Sequence, residues 1–213
     1  MIPGIVAVCM GFVLLENSGY EILVPGNYFQ GETEAVRGEL WQGLYATSSG
    51  YELRTVELVV KAAHSLADRP QGERTGSLIL VAGEEGKLLF LLQSEEGVFP
   101  PGSIHTELVN TGDLQIGVSI QFSDSCEVFT TEAGLFLSDG HVSQRLSDVY
   151  PDSHGEGVSV VWVGDLDGDS RIDVVLDDQP HYATKCFYRL FLSSEADPGF
   201  LVKEVAEFSS VAC

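Results

Sequence analysis

Residues 158–176 read Val-Ser-Val-Val-Trp-Val-Gly-Asp-Leu-Asp-Gly-Asp-Ser-Arg-Ile-Asp-Val-Val-Leu, two β-branched and aromatic runs around an acidic turn. Such runs suit a pleated, packed surface, so both flanks predict strands rather than helices. Between them, Asp165, Asp167, Asp169 and Asp173 occupy positions 1, 3, 5 and 9 of a loop. Like charges this close repel one another unless a cation lies among them. Oxygen donors in a flexible loop suit calcium better than magnesium. Gly168 would let the backbone turn sharply, and Arg171 would offer its main-chain carbonyl. The expected metal ligands are Asp165, Asp167, Asp169, Asp173 and, through its backbone, Arg171. An EF-hand would need glycine at position 6, a bidentate glutamate at position 12 and flanking helices. Here those positions hold Ser170 and Leu176, and the flanks read as strands.

Further strand-like runs spread outward from this unit: 39–46, 51–61, 77–81, 87–92, 114–122, 127–131, 134–137, 186–192 and 200–207. Turn signals punctuate them at 48–50, 83–86 and 100–102, and Ser138-Asp139-Gly140 predicts a hairpin between Leu137 and Val142. Residues 16–38 show no clear periodicity and predict an irregular entry segment. Only 62–67 and 205–209 hint at helical turns. Many short strands with Gly-rich turns predict an all-β fold, an antiparallel sandwich or barrel-like structure with the strand–calcium loop–strand unit near its C-terminus. A soft boundary near 100–110 would divide a β subdomain of 31–110 from one of 111–213, although one continuous domain also fits.

Residues 160–176 resemble the strand–loop–strand core of FG-GAP/VCBS-type repeats, and the last third of the chain resembles secreted bacterial proteins carrying one such loop. The resemblance implies calcium bound through Asp165, Asp167, Asp169 and Asp173, with Arg171 at the backbone-carbonyl position. Ser170 stands where those repeats usually have glycine. No second D-x-D-x-D run exists, and a propeller needs several. Leu-Phe-Leu does recur at 89–91, 135–137 and 190–192, the last two followed by serine, an echo that chance explains.

Acidic residues outnumber basic ones 32 to 11 in 213 residues, a net charge of −21. This repels nucleic acid and anionic membranes, while 44% hydrophobic content argues against disorder. Residues 1–15 are almost wholly apolar, yet short of the roughly 18–20 needed to span a bilayer, so no stable membrane span is expected. No Lys or Arg precedes Arg37, so the segment reads as a clipped export signal or a buried strand. Export, secreted or periplasmic, is the expectation, because weak extracellular calcium sites need about millimolar calcium. Cys9, Cys126, Cys186 and Cys213 show no C-x-x-C spacing; Cys213 could bridge to Cys186 or Cys126, or all could be free thiols.

Nucleophile-elbow, zincin, dinucleotide and P-loop signatures are absent. His154 and His181 flank the loop and could meet in space. Trp41, Tyr45 and Tyr51 could form a sugar-stacking platform, although core packing is the commoner role. Asp177 and Asp178 could lend charge to the loop from just beyond it. The expected function is a non-enzymatic module that binds a protein or glycan, with calcium as a structural ion. The alternative is a small calcium-stabilised β-fold hydrolase acting on glycans or other extracellular substrates.

Overall fold

The computed structural model describes residues 19–29, 32–33, 35–64, 74, 76–81, 86–148, 157–179 and 186–210. Within them every regular element is a strand, and all strand pairings are antiparallel. Strands β1 (Tyr20–Leu23), β2 (Gly26–Tyr28), β3 (Leu40–Thr47), β4 (Gly50–Ala63), β5 (Gly76–Val81), β6 (Lys87–Ser94) and β7 (Gly102–Ile104) form the first sheet. Its order is β1-β6-β3-β4-β5-β2, with β7 also on β4. The long β4 pairs with β3 along its first half and β5 along its second, and the sheet curls into a half-barrel. Strand β8 (Thr106–Val109) leaves it for another layer. Next, β9 (Ser119–Gln121), β10 (Glu127–Thr131), β11 (Gly134–Ser138) and β12 (Ser143–Ser147) form a meander. Finally β13 (Gly157–Gly164), β14 (Asp173–Gln179), β15 (Cys186–Leu192) and β16 (Lys203–Ser210) run in sequence, with β8 beside β13, as a five-stranded sheet.

The five-stranded sheet is the middle layer. One of its faces packs Trp162, Val175, Leu190 and Leu192 against Ile22, Leu44, Phe90 and Leu92 of the half-barrel. The other packs Val160, Val163, Val174 and Phe191 against Val128, Leu135, Leu137 and Leu146 of the meander. Successive side chains point to opposite faces of a strand, so a strand covered on both sides must be apolar at nearly every position. Hence the unbroken Val-Val-Trp-Val, Val-Val-Leu and Leu-Phe-Leu runs. A third cluster, including Trp41, Tyr45, Leu58 and Leu91, lies on the other face of the half-barrel. Trp41 and Tyr45 are thus core residues, and Tyr51 packs against the first cluster. The three Leu-Phe-Leu runs fall one to a sheet, in β6, β11 and β15.

Two irregularities set the entrance to the acidic loop. The pairing of β13 with β14 shifts between Val160 and Trp162. The extra residue, Val161, turns Trp162 toward the half-barrel while Val163 stays on the meander side. Trp162 is fully buried, donates from Nε1 to Thr106 Oγ1 at 3.1 Å, and meets Phe90 edge to face. Gly164 ends the strand because nothing larger fits: a Cβ there would lie 2.2 Å from the His105 carbonyl oxygen and 2.5 Å from Trp162 Cζ2.

The hairpin at 138–140 forms as expected, with Asp139 Oδ1 accepting the N–H groups of His141 and Val142 at 2.8 and 2.7 Å. Four expectations fail. Of the helical turn expected at 62–67, Ala62 and Ala63 instead end β4, and 65–67 lie outside the described residues. Residues 205–209 lie in β16, not in a helical turn: a shift in the β15–β16 register sends both Val205 and Ala206 into the core. The entry segment holds β1 and β2, too short to show periodicity. The expected strand at 114–122 shrinks to β9, because residues 115–118 turn at Gly117, with φ of +85°, and Thr130 Oγ1 donates to the Gln115 carbonyl. Residues 1–15, His154, His181, Cys9 and Cys213 lie outside the described residues; Cys126 is a free thiol.

Candidate metal centre

Residues 165–172 connect β13 to β14, and their backbone is wound by their own carboxylates. The turn starts on the β8 side, where the Asp165 N–H donates to the His105 carbonyl at 3.0 Å. Asp165 accepts from the Gly168 N–H at 2.8 Å through Oδ1 and from the Ser170 N–H at 3.0 Å through Oδ2. Asp167 Oδ1 accepts from the Asp169 N–H at 3.1 Å, and Asp169 Oδ1 from the Arg171 N–H at 2.8 Å. Short acidic side chains bind backbone a few residues ahead in this way. Gly168 and Ser170 both take left-handed backbone, at φ of +82° and +65°. Ser170 therefore holds a conformation that glycine adopts without steric cost.

Inside the turn, Leu166 is fully buried in the core shared with the half-barrel. It draws the loop inward, and its N–H donates to Asp173 Oδ2 at 2.8 Å. Asp173, the first residue of β14, has no exposure to solvent. Its Oδ1 accepts from the Ser193 N–H at 2.8 Å and the Ser193 hydroxyl at 3.0 Å. Burial, and then the charge of Asp167, still push its carboxyl up to about 7. Without a counter-ion, a buried carboxylate facing a second carboxylate favours its proton.

Asp165, Asp167 and Asp173 each present a carboxylate oxygen within 4.8 Å of the other two. Oxygens on one calcium ion, at about 2.3–2.6 Å from it, are at most about 5 Å apart, so the three fit a single ion's shell. Asp167 Oδ2 is sealed from solvent without a hydrogen-bond partner, and a polar atom in that state is costly. The fourth aspartate lies otherwise. Asp169 Oδ2 accepts from Arg171 Nε at 2.8 Å, and both its oxygens lie 3.2 Å from the Ser193 hydroxyl oxygen. The Arg171 side chain pairs with Asp169 and is more than half exposed.

Ser193 was not anticipated from sequence, although it is the serine that follows the third Leu-Phe-Leu run. It is 1% exposed and ties Asp169 to Asp173 from the end of β15. Asp177 and Asp178 lend the loop nothing: they sit about 13 Å or more along β14 from Asp173. Asp177 Oδ1 accepts from the Phe187 N–H, and Asp178 joins a buried network with Ser147 and Arg189, which also grips Glu204. Among the described residues no helix is long and apolar enough to cross a membrane. No family model, curated protein or solved structure matches this chain.

Proposed function

We propose that the 165–173 loop binds calcium and that the protein is a secreted or periplasmic β module whose fold this ion stabilises. It would act without catalysis, by binding a protein or glycan. The observation that carries the metal reading is the unpartnered, solvent-sealed Asp167 Oδ2 within a group of three carboxylates. The donors are all oxygens, which favours a hard cation over zinc or copper. Calcium rather than magnesium is supported by the loop's partial exposure and its resemblance to FG-GAP/VCBS-type loops. Asp165, Asp167 and Asp173 would ligate directly, Arg171 through its carbonyl, and Asp169 after leaving Arg171.

Because the loop joins two strands of the middle layer, an ion there would hold β13 and β14 together between both cores. A ligand at about 100 times its Kd adds about 2.7 kcal/mol, or about 5–11 °C in Tm for a chain of this size. Thermal melts in EDTA, calcium and magnesium test this. A rise of that order with calcium, smaller with magnesium and absent in Asp167→Ala, is expected. No rise with either ion would remove the metal reading.

A further inference from the structure

Beside the loop, between it and the meander, is a cleft of about 300 Å³. Leu137, Ile172 and Phe200 give it an apolar lining, and Phe200 is 59% exposed. Asp139 and Arg171 also line it, as does the free thiol of Cys126. The hydrogen bonds that hold Asp139 in its turn both end on Oδ1. They keep its carboxyl below the ordinary range, and so ionised. Arg171 is held by a single oxygen, Asp169 Oδ2, which takes Nε at 2.8 Å and Nη2 at 2.7 Å.

We infer that this cleft binds a small zwitterion with an apolar side chain, a free amino acid or dipeptide. Arg171 takes the carboxylate, Asp139 the ammonium, and Leu137, Ile172 and Phe200 the side chain. A net charge of −21 repels a bare organic anion, whereas a neutral molecule carrying both charges escapes that penalty. The volume is at the small end for ligand sites, which suits one or two amino-acid units and excludes a folded partner. The inference rests on the calcium reading at one point: an ion that recruits Asp169 frees Arg171 for the ligand. A partly exposed ion pair contributes little, so a divalent cation competes for Asp169 at little cost.

L-phenylalanine is the probe, measured by titration calorimetry and by its protection of Cys126 from iodoacetamide, read peptide by peptide. Binding and protection are expected in calcium, falling about tenfold or more in EDTA. Phenethylamine and phenylacetate, each lacking one charge, should bind about tenfold more weakly or worse, as should phenylalanine to Arg171→Gln or Asp139→Asn. Asp169→Asn, which frees Arg171 without an ion, should bind phenylalanine in EDTA. A protein that calcium stabilises, yet that shows neither heat nor Cys126 protection, overturns the cleft and leaves the metal site standing. Asp169→Asn binding phenylalanine when calcium shifts no melt supports the cleft and overturns only its gating ion. Single-charge analogues that bind as tightly as phenylalanine overturn the zwitterion.

Discussion

Raising the pH in EDTA should loosen the protein through one residue, Asp173. Its carboxyl is pushed up to about 7 by burial and then by the charge of Asp167, although Leu166 and Ser193 donate to it. In an unfolded chain the same group titrates near about 3.9. With the folded value above the unfolded one, the bound proton stabilises the fold. That contribution is full below about pH 4 and lost as pH rises through about 7. Linkage gives on the order of a few kcal/mol at about pH 5 and almost nothing at about pH 8, a fall of about 5–11 °C in Tm. Other acidic groups also repel more as pH rises, so Asp173→Asn supplies the reference. Its amide does not titrate, although it sets an NH₂ group against a backbone donor and lowers stability at every pH. Melts of both proteins in EDTA across this range should show the wild type losing about 5–11 °C more than the variant. Parallel curves would refute the burial account of Asp173. In millimolar calcium the wild-type slope should reverse, because the ion requires ionised ligands.

Gly164→Ala should cost about 1–3 kcal/mol or more, since its Cβ would press the His105 carbonyl and the Trp162 ring; an unchanged urea midpoint would contradict that close approach. Ser170→Gly should gain about 0.5–1 kcal/mol, as relief of left-handed strain exceeds the added unfolded-state freedom. A lower Tm in EDTA would argue against strain at that position. Arg189→Met should cost about 3–5 kcal/mol by leaving Asp178 and Glu204 without their cation, and denaturant unfolding measures it.

The all-β fold was legible because the strand runs carry their own pattern. The 160–163 and 174–176 runs were readable as strands, but their unbroken apolarity told nothing of which sheets would cover them. Layering depends on β8, which reaches β13 from some fifty residues earlier in the chain, and no local pattern announces such a pairing. Residues 205–209 looked helical because Val205 and Ala206 are adjacent apolar residues; only the shifted pairing with β15 explains both pointing inward. In the acidic loop, spacing alone gathered Asp165, Asp167 and Asp173. It could not show that Asp169 meets Arg171 and Ser193, since Ser193 arrives through the fold. Nor could it separate Asp178, whose partner Arg189 lies on the neighbouring strand.

The middle layer has a consequence for biosynthesis. Apart from β8, it is made of strands that leave the ribosome after the half-barrel and the meander that lean on it. At about 5–20 residues per second, β13 to β16 take roughly 3–10 s to emerge. Throughout that interval Ile22, Leu44 and Phe90 on one side, and Val128, Leu135 and Leu137 on the other, have nothing to cover them. Such uncovered apolar faces are what chaperones recognise, and a ribosome stalled before residue 157 would expose both rather than release a folded intermediate.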